Sequence, residues 1–73
     1  RNRLVLNDMP LGTAAVEMGR WYGVKINVDS TIANKYRYTA TFEKETVEQA
    51  LKAMQASVPF NYRIVNNEIF ISQ

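Results

Sequence analysis

The chain repeats one pattern of apolar residues in its two halves, and this repeat limits the folds available to it. In each half, residues that alternate between apolar and polar precede apolar residues spaced three and four apart, and the alternation then returns. Alternation predicts a strand and the wider spacing predicts an amphipathic helix, so each half reads as strand, helix, strand. The helical stripes are Leu11, Ala14, Ala15 and Met18 in the first half, and Val47, Ala50, Leu51 and Met54 in the second.

Residues that start and stop helices agree with these boundaries. Pro10 lies near the start of the first helix, where its missing N–H costs nothing, and Gly23 can end that helix in a left-handed conformation. Thr46 and Gln49 have the spacing of a capping box at the start of the second helix, and Pro59 follows its end. Both helices are therefore bounded by local sequence alone.

The last part of the chain predicts a β-hairpin. Asn66 and Asn67 tolerate the positive φ angles of a two-residue type I′ turn. Counting outwards from this turn pairs Ile64 with Ile69 and Arg63 with Phe70, and adds a fifth strand.

These elements give the order β-α-β-β-α-β-β in one domain over residues 1–73, which is an α+β fold. The duplicated β-α-β units place two helices side by side, covered by small sheets. The segment 29–35, between the two units, predicts a turn or a single helical turn.

The composition excludes most catalytic and metal-binding chemistry. The chain has no cysteine and no histidine, which removes disulfides, thiolate ligands and the commonest general base. Glu43 and Glu45 precede a helix N-terminus, where solvated carboxylates are expected, so we predict no enzyme activity, no cofactor and no metal. The net charge of +2 is spread over single basic residues and indicates a polyanionic partner only weakly.

The aromatic pair Trp21 and Tyr22 extends the stripe of the first helix, because Met18 precedes it by three and four residues. We expect both rings to lie in the core, so that Trp21→Ala costs about 3 to 5 kcal/mol. The alternative is an exposed platform that stacks against a sugar or a base.

Strand alternation places Arg63 and Val65 on the outer face of the hairpin, next to Phe70, with Tyr62 and Ile64 facing inwards. Arg63 and Phe70 form either an ordinary cross-strand pair or an aromatic and cationic anchor for a partner. A hairpin strand at a sheet edge would add unpaired backbone groups to such a surface. Arg63, Val65 and Phe70 are therefore the candidate partner-binding residues.

Several segments together resemble the C-terminal domain of FecR-like anti-sigma regulators, a relative of the N-terminal module of secretins and TonB receptors. The resemblance covers nearly the whole chain, and the junction "RWYGV" is its most distinctive part. The matching segments are "PL" at 10–11, "RWYGV" at 20–24, "TATF" at 39–42, "TVEQAL" at 46–51 and "FNYRIVNNEIFI" at 60–71.

The resemblance implies two helices packed between a two-stranded and a three-stranded sheet. It also implies a periplasmic domain that receives a signal from the signalling module of a TonB-dependent outer-membrane transporter. The sigma factor would bind a segment before Arg1, and a membrane helix would also precede this residue. The alternatives are the signalling module of a transporter or secretin itself and, from another class, a small nucleic-acid-binding domain.

Overall fold

The structure, a computed structural model, describes residues 2–73 of the chain and contains three helices and five strands in this range. The predicted order is confirmed, with a single helical turn between the two repeated units. The elements are β1 Leu4–Pro10, α1 Leu11–Tyr22, β2 Lys25–Val28, α2 Ser30–Ala33, β3 Arg37–Phe42, α3 Val47–Gln55, β4 Asn61–Val65 and β5 Glu68–Ser72.

The helix ends follow the predicted signals. Pro10 directly precedes α1, and Gly23 ends this helix with a φ of 70° while its N–H bonds to the Gly19 carbonyl. At the start of α3, the Thr46 hydroxyl accepts the Gln49 N–H at 3.1 Å, and the Gln49 side chain accepts the Thr46 N–H at 2.9 Å. The capping box is thus complete and satisfies two backbone donors that have no partner within the helix.

The two repeated units interleave their strands into two sheets. The first strands of the units, β1 and β3, pair antiparallel in a two-stranded sheet. The second sheet has the order β2-β5-β4, with β5 parallel to β2 and antiparallel to β4. The final strand of the chain therefore lies in the centre of its sheet, and β4 lies at an edge.

An irregularity interrupts β1 where it pairs with β3. The register shifts between Leu6 and Met9, and Asp8 has a φ of 51°. Asp8 donates its N–H to the Thr39 hydroxyl at 2.9 Å, and its carboxylate accepts from the Arg37 Nε at 2.8 Å. Two side chains of β3 therefore hold this β-bulge, a feature that bends a strand and disrupts its pairing.

The core lies where the helices and both sheets meet. The stripes of α1 and α3 are buried as predicted, apart from the half-buried Val47 at the start of α3. Apart from tyrosine, which carries a hydroxyl on an apolar ring, no residue with a polar or charged side chain is buried among residues 2–73. The largest fully buried side chains are Leu6, Leu11, Met18, Ile32, Leu51, Met54 and Ile69.

The hairpin has the predicted turn and register. Asn66 and Asn67 have φ values of 50° and 66°, which is the conformation of a type I′ turn. Ile64 pairs with Ile69 and Arg63 pairs with Phe70, as counted from the sequence. The prediction that Ile64 faces the core is wrong, because this side chain is 44% exposed on the edge strand.

Candidate functional site

The candidate site is the solvent-facing side of the three-stranded sheet, which we call the outer face. Across its middle, the register aligns Asn27 of β2, Phe70 of β5 and Arg63 of β4 in one row. The guanidinium carbon of Arg63 lies 4.7 Å from the centroid of the Phe70 ring, within the range of a cation–π interaction. Phe70 is half-buried beneath it. The predicted pair is therefore formed, and it occupies the centre of the sheet.

The next row towards the turn consists of Lys25, Glu68 and Val65, and it makes the outer face charged on the β2 side and apolar on the β4 side. On the β2 side, the Glu68 carboxylate accepts from the Asn27 amide at 2.9 Å and lies 3.9 Å from the Lys25 ammonium. On the β4 side, Val65 is 42% exposed, on the same face of its strand as Arg63. The structure thus brings the three predicted site residues together, with an apolar and cationic surface towards the sheet edge.

Arg63 differs from Lys25, the other basic residue of the outer face, and from Arg3 and Arg37 of the neighbouring surface. Arg3 pairs with Glu43 at 3.9 Å, and Arg37 pairs with Asp8 at 2.8 Å. Lys25 is paired as well, whereas within residues 2–73 no carboxylate forms an ion pair with Arg63. Elsewhere in residues 2–73, the basic residues that form no ion pair are Lys35, Lys44 and Lys52, none of which lies on the outer face. Arg63 is therefore the one basic side chain of the described outer face without an ion pair.

A groove that sequence reasoning missed runs between α3 and the edge strand β4. Tyr62 lines this groove, with its ring 5.8 Å from the Lys52 ammonium and its hydroxyl 3.4 Å from the Glu48 carboxylate. The α3 residues that line the groove are polar, so Ile64 finds no apolar partner on this helix. Its side chain lines the open groove instead of packing in the core. The lining residues are Glu48, Lys52, Gln55, Asn61, Tyr62, Arg63 and Ile64.

The aromatic pair at the end of α1 separates into one buried and one exposed ring. Tyr22 packs against the core, but Trp21 is 37% exposed and lies outside the core cluster, so its predicted role as a core residue is wrong. At 3.6 residues per turn, Tyr22 falls close to the direction of Leu11, whereas Trp21 lies roughly 80° away. The stripe was therefore correctly located, but Trp21 lies beyond its margin.

Two tyrosines, Tyr22 and Tyr38, have a raised pKa because their side chains pack into the core. Burial, and then the nearby Glu45 charge, raise the pKa of Tyr22, whose hydroxyl is buried without a hydrogen-bond partner. Burial alone raises the pKa of Tyr38. Both phenols are therefore neutral at physiological pH, and they contribute ring packing to the core.

The two glutamates that precede α3 stabilise a turn. The Glu45 carboxylate accepts the backbone N–H of Glu43 at 2.8 Å. This bond, followed by the Glu45 N–H itself, lowers the pKa of the Glu45 carboxyl, and both side chains are exposed. A lowered pKa in water is opposite to what a general acid at neutral pH requires, so Glu45 is poorly suited to that role.

Residues 2–73 contain no group of three or more carboxylate, histidine or cysteine side chains placed to hold a metal ion. No helix in the same range has both the length and the apolar composition needed to cross a membrane.

Comparisons with known proteins agree with this architecture. The model of the family "FecR, C-terminal" matches residues 3–71. Two crystal structures of a candidate anti-sigma factor from Parabacteroides distasonis superpose with TM-scores of 0.83 and 0.82, at 21% and 22% identity. They cover 97% and 94% of this chain, which spans about a third, 33% and 32%, of theirs. No curated protein matches the sequence.

Proposed function

Because the chain belongs to the FecR C-terminal family, we propose that it is the signal-receiving domain of an anti-sigma regulator. In this proposal the domain lies in the periplasm, and the regulator crosses the inner membrane through a segment outside this chain. The signal comes from the signalling module of a TonB-dependent outer-membrane transporter. The sigma factor is bound elsewhere in the regulator, so this domain acts by contact with protein and carries out no reaction.

The observation that carries the proposal is the pair of Phe70 and Arg63 on the outer face. The half-buried Phe70 ring lies under Arg63, which has no ion-pair partner, and Arg and aromatic residues are both enriched at protein interfaces. Val65, exposed beside them, extends the apolar area towards the sheet edge. We assign these three residues to the contact with the transporter module, with Phe70 as the main anchor.

The arrangement of charge favours a protein partner over a nucleic acid. Binding to a phosphate backbone depends on several unpaired basic residues that release counterions together. On the outer face, Lys25 is balanced by Glu68, and Arg63 is the one basic side chain of the described residues there without an ion pair. Phe70 is the one aromatic side chain among the described residues of this face, so base stacking has a single ring available. The outer face therefore fits a partner that supplies one acidic group and apolar surface.

Two experiments test this function. The N-terminal signalling modules of the TonB-dependent transporters encoded in the same genome are titrated into the chain by isothermal calorimetry. We expect one module to bind with an affinity that changes little between low and high salt, since apolar contact dominates. Binding of none of the modules, together with salt-sensitive binding to single-stranded DNA, would contradict the proposal.

The second experiment addresses location. Alkaline phosphatase, which is active only outside the cytoplasm, is fused after Gln73 in the full-length regulator. The proposal predicts an active fusion, while an inactive fusion of normal abundance would place the domain in the cytoplasm.

A further inference from the structure

The free edge of β4 presents backbone hydrogen-bonding groups to solvent. In a hairpin closed by a two-residue turn, Val65 and Glu68 form a hydrogen-bonded pair, and such pairs then alternate along the ladder. Tyr62 and Ile64 consequently direct their N–H and C=O groups away from β5. Within residues 2–73, no side chain or loop forms a hydrogen bond with these groups.

The edges of the two-stranded sheet are less suited to accept a further strand. The β1 edge is broken by the bulge at Asp8 and ends at Pro10, which lacks an N–H. The outward side chains of β3 are polar, and Arg37 and Thr39 are engaged with Asp8. In contrast, β4 is regular and carries two exposed apolar side chains, Ile64 at 44% and Val65 at 42%.

A second copy of the chain fits this edge poorly. Symmetric antiparallel pairing that uses the free groups of Tyr62 and Ile64 places Arg63 directly opposite Arg63 of the copy, and like charges in that position are destabilising. Shifting the register in one direction uses the Phe60 carbonyl, which already accepts from the Gln55 amide at 2.9 Å. Shifting the register in the other direction requires Asn66 to pair, but this residue lies in the turn and has a φ of 50°. The occupant is therefore expected to be a different segment with a negative charge.

We propose that an extended segment of the partner adds to β4 as an antiparallel fourth strand and places a carboxylate opposite Arg63. The residue opposite Arg63 lies in a non-hydrogen-bonded pair, where the side chains approach most closely, at about 4.5 Å between Cα atoms. Its two neighbours lie opposite Tyr62 and Ile64, on the side of the groove, and cross-strand contact with these two side chains favours apolar residues there. This inference rests on the proposed function, since it specifies how the partner uses the same surface.

The test uses two capped peptides, Thr-Val-Glu-Val-Thr and Thr-Val-Lys-Val-Thr, titrated to millimolar concentration into the isotopically labelled chain and followed by NMR. We expect the Glu peptide to shift the amide signals of Tyr62, Arg63 and Ile64 and to slow amide exchange at Tyr62 and Ile64. Attraction in one peptide and repulsion in the other predict an affinity ratio of about three to ten. The Arg63→Glu variant should reverse this preference.

A backbone variant separates strand addition from side-chain contact. Ile64→Pro removes the outward N–H while leaving the hydrogen bonds to β5, because proline is tolerated at a strand edge whose N–H faces solvent. Ile64→Ala is the control that loses the side chain and keeps the N–H. We expect the proline variant to lose peptide binding and the alanine variant to retain most of it, with cross-strand contacts to Ile69 intact in both.

Two results would overturn the inference: no shift at Tyr62 and Ile64 with millimolar Glu peptide, or equal binding of both peptides. The same variants distinguish it from the proposed function. If a transporter module binds Ile64→Pro as tightly as the unaltered chain, strand addition is wrong and the signal-receiving role remains. If the Glu peptide binds as described and none of the transporter modules does, the proposed partner is wrong and the strand-binding edge remains.

Discussion

Substitution of Gly19 by alanine should destabilise the domain, although the same change inside an ordinary helix is stabilising. Gly19 lies within α1, where alanine would gain about 0.5 to 1 kcal/mol from helix propensity. However, a Cβ at this position would lie 2.8 Å from the Val24 carbonyl oxygen. This oxygen belongs to the backbone that leads into β2, so relief of the contact has to move α1 away from the sheet.

The size of the effect follows from these two opposing contributions. Overpacking of this kind costs about 1 to 3 kcal/mol, which exceeds the gain from helix propensity. The Gly19 carbonyl also accepts the N–H groups of Gly23 and Val24, so a shift of α1 strains the turn that connects it to β2. We expect a net loss of about 1 kcal/mol, which lowers the Tm by roughly 4 to 8 °C in a domain of this size.

The assay is denaturant unfolding followed by circular dichroism, with thermal unfolding alongside. Val16→Ala is the matched control, since Val16 is on the same helix, is 50% exposed and should change stability little when replaced by the better helix former. An increase in the stability of Gly19→Ala, without a change in the slope of the denaturant dependence, would refute the close contact between α1 and β2.

Three further predictions concern α3, Tyr22 and Asp29. Thr46→Ala removes one half of the capping box and should cost about 1 kcal/mol, whereas Thr13→Ala, at an exposed position inside α1, should cost nothing; equal thermal melting of both variants would contradict this. Tyr22→Phe should leave the free energy of unfolding unchanged or increase it, because the buried hydroxyl has no hydrogen-bond partner. A loss of more than about 1 kcal/mol in denaturant titrations would show that this hydroxyl forms a hydrogen bond. Hydrogen bonds from the Thr31 N–H, and then from its hydroxyl, lower the pKa of the Asp29 carboxyl. The stability that these bonds contribute is therefore fully present above the unfolded pKa of about 3.9, and it is lost as the pH falls through the lowered pKa of the folded state. Thr31→Val keeps the N–H, so NMR titration of the Asp29 carboxyl should find its pKa partly restored and still below the ordinary value.

Local sequence determined the elements and the hairpin, because their signals act within a few residues. Gly23 and the capping box of Thr46 and Gln49 act through the backbone of their own turns, and Asn66–Asn67 fixes the register that places Arg63 against Phe70. Such features require no knowledge of the rest of the fold. The same local count therefore predicts correctly that Arg63, Val65 and Phe70 share one face of the hairpin.

What the sequence could not provide depends on contacts between distant segments. The pairing of β1 with β3, and the central place of β5, are set by how the apolar faces of the two units meet. The exposure of Ile64 follows from the same arrangement, since alternation gives the face of a strand but does not reveal that the strand is an edge lined by polar α3 residues. The prediction for Trp21 was wrong because residue spacing gives the direction of the apolar stripe on α1. It does not show how far around the helix the buried surface extends.

The most direct test of the proposed function is the affinity of the transporter's signalling module for the chain with Phe70→Ala. Val5→Ala serves as the control, because Val5 is 53% exposed on β1, in the other sheet. Loss of a central aromatic anchor should cost at least about 2 kcal/mol of binding, roughly thirtyfold in Kd, while the control binds normally and both variants melt cooperatively. An unchanged Kd for a folded Phe70→Ala variant would contradict the assignment of the outer face as the surface that receives the signal.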